Sequence, residues 1–311
     1  ASPDTSTKQH ATQQNDHQHS QPKQRRQRHD QHSAASATHR AQALIGALGI
    51  GLVMKAVLLA GGLGTRMREE TEFRPKPMVE VGGRPVLWHI MKILGHYDIS
   101  DFVVCTGYKS EYIKSYFANY GVSNLDFTLT LGDQSSIRHH GSHAEFDWQV
   151  TVADTGLETM TGGRIKRIQK YVGDETFLCT YGDGIADVNI SELLDFHRSH
   201  GKLATVTATQ PMSRFGVIDV KEDGAVATFR EKPKTEDWIN IGYFIFEPGV
   251  FDYLEGDETV LEDQPLLKLA KDGQIGAFSH HGFWQPMDTF RESQMLNNLW
   301  DTGSPPWKVW Q

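Results

Sequence analysis

The chain has 311 residues, enough for one large core or two ordinary ones, and a formal net charge of −8. Residues 1–53 hold six Lys/Arg against three Asp, which leaves 25 basic and 36 acidic groups in the remaining 258 residues. A body that acidic is excluded as a general nucleic-acid binder, because such affinity comes from Lys and Arg neutralising phosphates; any anionic ligand must be met by a local cluster. The two cysteines, Cys105 and Cys179, lie in apolar runs and read as small core residues rather than a disulfide framework, which favours a reducing, cytoplasmic compartment.

In chain order, residues 1–40 are rich in Gln, His, Ser and Arg and nearly devoid of large apolar side chains. Such a composition cannot offset the entropy of ordering. The expectation is a disordered or added extension over 1–53, with Met54 opening a single domain over 54–311. The stretch "ALIGALGIGLVMKAVLLAGG" has the length a bilayer core asks for, but it is glycine-rich and interrupted by Lys55, and "KAVLLA" is needed as a strand. No membrane association is expected.

From Met54 onward strands alternate with helices: "KAVLLA", then the helix "VLWHIMKILGHY", the strand "DFVVCT", the helix "SEYIKSYFANY", the strand "TFLCTYGD", the helix "ISELLDFHRSHG" and the strand "LATVTAT". That alternation predicts an α/β fold, a Rossmann-like and mostly parallel sheet flanked by helices. "FGVIDV", "AVATFRE" and "INIGYFIFE" follow without long helices between them, which predicts antiparallel strands extending the sheet over a ligand cleft. Helical patterns at "PGVFDYLE", "PLLKLAKDG" and "TFRESQMLNNLW" close the chain.

The densest chemistry lies in "LLAGGLGTRMREETEFRPKPM". Gly61, Gly62 and Gly64 follow a strand, so backbone N–H groups can turn toward an anion with no side chain in the way. On its own this is either a tight loop or a phosphate cradle. The string lacks the Gly-Lys-Ser/Thr of a P-loop, and it continues without the apolar helical stripe of a dinucleotide fingerprint, so neither a kinase-type ATP site nor NAD fits. Lys76, held between Pro75 and Pro77, has a backbone fixed on either flank and an aimed ammonium. With Arg66 ten residues before it, the phosphate reading prevails.

"LAGGLGTR" followed by "RPKPM" resembles the signature of the sugar-1-phosphate nucleotidyltransferases, which join a nucleoside triphosphate to a sugar phosphate and release pyrophosphate. Further strings, "VEVGGRPVLWHIMKIL", "GYKSEYIKSYFANYG", "DTGLETMTGGRIKR", "TYGDGIADV", "FWQPMDT" and "PPWKVW", resemble the cytidylyl branch of that family over nearly all of residues 54–311. The resemblance implies CTP and glucose 1-phosphate as substrates, CDP-glucose as product and a role in deoxysugar and O-antigen synthesis. It implies a nucleotide site at Leu59, Ala60, Gly61, Gly62, Leu63, Gly64, Thr65, Arg66, Lys76, Thr159, Arg164 and Gly182, with Lys76 and Arg66 catalytic. It also implies a sugar-phosphate site at Glu231, Lys232 and Gly242, and Mg²⁺ on Asp183 and Asp288. The alternatives are transfer of a thymidylyl, uridylyl or guanylyl group, or a regulator that binds a sugar nucleotide without catalysis.

The residues themselves place Asp183 at the carboxyl end of a strand, where open α/β sheets bind ligands. Asp288 stands just before a helix and so could equally be an N-cap. Ile241 departs from the family's paired glycines and either points away from the sugar or crowds it. The histidines of "RHHGSH", the pair His280 and His281, and His197 with His200 read as surface or packing residues, since zinc asks for three or four coherent ligands. The terminal "PPWKVW" reads as an exposed aromatic segment that favours a homo-oligomer.

Overall fold

A computed structural model describes residues 54–213 and 215–310; the expected extension over 1–53 lies outside the described residues. A seven-stranded sheet forms the centre. Its strands are β1 (Lys55–Ala60), β2 (Asp101–Thr106), β3 (Gln149–Asp154), β4 (Phe177–Tyr181), β5 (Ala204–Thr209), β6 (Ile239–Phe246) and β7 (Ile275–Ser279). The spatial order is β7-β5-β6-β4-β1-β2-β3, and only β6 runs antiparallel to its neighbours.

β1 is apolar at nearly every position because both faces of a parallel sheet are covered. Val57 and Leu59, two residues apart, enter one core with Cys105, Cys179, Phe244 and Phe251. Both thiols are free and fully buried, and burial pushes the Cys105 thiol up to about 12. The helices α1 (Val86–His96), α2 (Ser110–Ala118), α3 (Thr161–Arg167), α4 (Ile190–His200) and α5 (Gln264–Lys271) lie between strands, and α6 (Phe290–Asp301) follows the last of them. Among the described residues no helix is long and apolar enough to cross a membrane.

The chain leaves β1 toward β2 and β3 on one side and returns to β4 on the other. A crevice therefore opens at the carboxyl ends of β1 and β4, the switch point where doubly wound sheets bind ligands.

Several elements differ from expectation. "FGVIDV" and "AVATFRE" do not extend the central sheet: Val217–Val220 pairs only with Val226–Arg230, as a separate two-stranded hairpin whose residues are nearly all exposed. Alternation marks a strand but does not say which sheet receives it. "PGVFDYLE" tightens to a 3₁₀ segment, Pro248–Tyr253. The edge strand β3 and a second exposed hairpin, Asp126–Thr130 with Asp133–His140, carry too weak a pattern to have been expected.

The terminal "PPWKVW" is not an exposed patch. Trp307 is wholly buried, stacks on Phe283 and Trp300, and donates its indole N–H to His89 Nδ1 at 3.4 Å. That packing removes the segment as a ground for self-association.

Candidate active site

The loop after β1 begins the site. Gly64 has φ of 63°, a left-handed conformation that only glycine adopts readily, and a Cβ there would sit 2.7 Å from Thr71 Cγ2. Thr71 Oγ1 in turn donates to Gly64 O at 3.1 Å and Met67 O at 3.0 Å, stapling the loop to the short helical turns that follow.

Arg164, on α3, holds the loop from beneath. Its guanidinium donates to Gly61 O, Thr106 O, Gly156 O, Leu157 O and Thr155 Oγ1 at 2.8–3.3 Å, so every close partner is an oxygen of the protein. Burial lowers its pKa from the usual arginine value. Gly61 and Gly107 must lack side chains for this clasp, since a Cβ at Gly61 would come within 2.2 Å of Arg164 Nη1. Thr159, buried just before α3, lies against Gly156.

A cavity of about 310 Å³ is lined by Leu59, Ala60, Gly61, Gly62, Gly64, Thr65, Arg66, Lys76, Thr159, Arg164 and Asp183, together with Pro77, Met160, Thr161 and Tyr181. Leu63 projects outward, about half exposed. Of the lining residues, Met160, Thr161 and Tyr181 carry no sequence signal of their own, although each lies within two positions of Thr159 or Gly182.

Gly182, which the resemblance places in the nucleotide site, is not among the residues lining this cavity. Its N–H donates to Leu59 O at 2.9 Å, and a Cβ would press on Leu59 O and Pro77 Cγ, both at 3.1 Å, rather than on the open cavity. Its smallness lets the turn after β4 close on β1.

A short antiparallel ribbon pairs Gly184–Ala186 with Trp284–Pro286, and Met287 N donates to Asp183 O at 2.9 Å. Two carboxylates a hundred residues apart in sequence are thereby set side by side. Asp288 is not the N-cap of α6. Thr289 takes that place and closes a capping box with Glu292, and the Asp288 carboxylate pairs instead with Lys76 and Arg66, two residues that line the cavity.

Lys76 joins the two acids. Its ammonium lies 2.5 Å from Asp183 Oδ2 and in closer contact with Asp288 Oδ1, while Arg66 Nη1 is 2.6 Å from Asp288 Oδ2. The Lys76 side chain is 10 % exposed and that of Arg66 72 %, so the lysine is fixed and the arginine stands at the rim. The donor set fits a hard divalent cation: two carboxylates already converge on one cationic atom, and Mg²⁺ takes one or two carboxylates with phosphate and water oxygens. Among the described residues no cluster of three or more His, Cys, Asp or Glu gathers as a protein-only metal cage.

The proposed sugar-phosphate residues are not part of this cluster. Glu231 and Lys232 follow the exposed hairpin, are 63 % and 61 % exposed, and stand 3.9 Å apart. Lys232 has φ of 45°, a left-handed conformation that strains a side-chain-bearing residue. Gly242, on β6, sits against the Tyr181 ring, where a Cβ would fall 2.1 Å from Cδ2. Ile241 is 3 % exposed, belongs to the core and is not among the residues lining the cavity. Of the histidines, His197 is buried between Thr205 Oγ1 and Glu247 Oε1, and His280 pairs with Asp187.

A glycine loop, a fixed lysine and two convergent carboxylates meet at the switch point of the mixed sheet, an arrangement suited to holding a phosphate-bearing ligand. The nucleotidyl transferase family matches residues 55–284, and the chain belongs to it. It is 52 % identical to the glucose-1-phosphate cytidylyltransferase of Salmonella typhimurium and 45 % identical to the probable glucose-1-phosphate cytidylyltransferase of Bacillus subtilis, each match covering 83 % of this chain and all of the relative. Solved structures share the fold at low identity. HddC of Yersinia pseudotuberculosis aligns with a TM-score of 0.59 at 21 % identity, over 80 % of this chain and all of that one. A UDP-glucose pyrophosphorylase complexed with UDP-glucose aligns with a TM-score of 0.59 at 17 %, over 81 % and all.

Proposed function

We propose that the protein transfers a cytidylyl group from CTP to α-D-glucose 1-phosphate, giving CDP-glucose and pyrophosphate. The observation that carries this reading is Lys76, which lines the glycine-loop cavity and is fixed between Asp183 and Asp288. Full-length similarity to relatives named for that reaction supports the choice of base and sugar.

The attacking atom is a phosphate oxygen of glucose 1-phosphate. A phosphate monoester with a second pKa of about 6 is already mostly dianionic at neutral pH, so no general base is required. The oxygen forms its bond to the α-phosphorus of CTP as the bond to the β-phosphate bridging oxygen breaks, and pyrophosphate carries the electron pair away. The protein's task is to bring two polyanions together, keep them in line and stabilise charge on the leaving group. Gly61 to Gly64 present backbone N–H groups to the phosphates, Arg164 keeps that loop in shape, and Lys76 and Arg66 supply cations where charge develops. A divalent cation held by Asp183 and Asp288 supplies further neutralisation of the phosphate oxygens when bound.

In this reading Glu231 and Lys232 meet the sugar phosphate, and the Tyr181 ring beside Gly242 bounds the sugar. The reading also includes a domain over 54–311, a cytoplasmic location, a part in deoxysugar and O-antigen synthesis, and a homo-oligomer. Support for self-association comes from Phe215, Ile218, Val220 and Phe229, each more than half exposed on or beside one hairpin. The reaction is tested by pairing glucose 1-phosphate with each of CTP, UTP, dTTP and GTP. CTP is expected to give the highest kcat/KM, and a higher value for another nucleotide would refute the assignment of the base.

A further inference from the structure

Asp183 and Asp288 leave different strands of one ribbon and close on the same atom, Lys76 Nζ. Arg66 takes the second oxygen of Asp288 at 2.6 Å. Two cations and two carboxylates thus make a closed, neutral set. Resting on the reading of the two acids as a divalent-cation site, we infer that Lys76 is a built-in competitor for that cation, and that it makes metal and nucleotide binding depend on each other.

A bare divalent cation approaching this pair must displace an ammonium that already lies within 2.5 Å of one carboxylate and touches the other. Displacement strands the ammonium, because its side chain is 10 % exposed and its backbone is held between Pro75 and Pro77, so it cannot swing freely into water. A bare triphosphate is no better placed, since it meets the two carboxylates. Arriving together, the two ligands allow an exchange of partners. The carboxylates pass from the ammonium to the metal, and Lys76 and Arg66 pass from carboxylate to phosphate oxygens. No group is left buried and unpaired at any stage of that exchange. Each ligand therefore raises the affinity for the other by the same factor. The exchange also restricts metal occupancy to the nucleotide complex, where it serves the reaction.

The test measures Mn²⁺ binding to the whole chain by the electron paramagnetic resonance of free Mn²⁺, with and without CTP. In the natural sequence CTP is expected to tighten Mn²⁺ by a factor within the usual range of site coupling, about 5- to 150-fold. Lys76→Met should tighten Mn²⁺ about tenfold without CTP and lose most of the CTP effect, a change in the coupling factor of ordinary size. Arg66→Met alters an exposed side chain, so folding is preserved, and it should shift both quantities the same way by a smaller factor. A folded Lys76→Met protein that binds Mn²⁺ no more tightly than the natural one would overturn the inference. Should that variant fail to fold, an Arg66→Met protein with unchanged Mn²⁺ affinity would do the same. Asp183→Asn separates the two layers: if it leaves Mn²⁺ affinity intact, the metal site and the inference fall together. If it abolishes Mn²⁺ binding while Lys76→Met and Arg66→Met change nothing, only the inference falls.

Discussion

Lys76 and Lys232 are both assigned to phosphate groups, yet Lys76 is 10 % exposed between two carboxylates, whereas Lys232 is 61 % exposed with one carboxylate 3.9 Å away. The first is ordered before any ligand arrives, so its charge acts with little reorganisation. The second must be ordered on binding, and part of its interaction energy offsets that entropy. The surroundings repeat the contrast. The glycine loop is clasped by Arg164 and Thr71, whereas the Val217–Arg230 hairpin pairs only with itself. On the proposed reading, one region is held in place before the phosphates arrive, while the other is an exposed hairpin whose strands pair only with each other.

Four changes sharpen or break this contrast, the largest first. Asp288→Asn keeps the shape of the side chain and removes its charge, and kcat should fall by about 10²–10³, the scale seen when a preorganised electrostatic group is lost. Steady-state kinetics decide it, and near-natural turnover would remove Asp288 from the site.

The second concerns the buried side of the molecule. His89 is enclosed by Trp88, Trp300, Trp307 and Trp310, and burial lowers its pKa to about 4. The unfolded chain, with an ordinary histidine pKa of about 6.5, binds the proton that the folded chain refuses. Stability is therefore complete above pH 6.5 and falls as pH descends toward 4, by about 2 kcal/mol between pH 7 and pH 5. Urea unfolding at the two pH values measures the loss, and His89→Gln should shrink it by that amount. A pH dependence unchanged in the variant would mean that the aromatic enclosure does not keep His89 neutral.

Third, Lys232→Met should raise the KM for glucose 1-phosphate about tenfold and leave kcat nearly unchanged, the size of one charge-assisted hydrogen bond. A loss of kcat equal to that of Asp288→Asn would erase the distinction between the two lysines. Last, Phe229→Ser on the exposed hairpin face should change the monomer's unfolding free energy by no more than about 0.5 kcal/mol. A larger destabilisation would show the hairpin to be packed after all.

Much of this was legible in the chain. Strand and helix alternation from "KAVLLA" to "LATVTAT" announces the parallel sheet, because strands buried on both faces read as apolar runs and amphipathic helices must separate them. Gly61 to Gly64, Lys76 and Asp183 are conspicuous because glycine and proline chemistry, or a strand end, leaves few other uses for them. Asp288 could be an N-cap only if the helix began at Thr289, whereas it begins at Phe290. The string Thr289-Phe290-Arg291-Glu292 is a capping box, which assigns the cap to Thr289.

Other features depend on contacts that no local pattern records. The resemblance puts Arg164 at the nucleotide site, and only the fold reveals the five protein oxygens that its guanidinium meets. "PPWKVW" looks exposed until His89 and Trp300, distant in sequence, are seen to receive Trp307. The hairpin strands carry the same alternation as a sheet strand, and their isolation follows from topology rather than propensity.

The most direct test of the account is pyrophosphate release by the natural protein given CTP and glucose 1-phosphate, with Mg²⁺ and again with the divalent cations chelated. Rapid release that requires both substrates and stops on chelation is predicted. No release with Mg²⁺ present, or release undiminished by chelation, would contradict it.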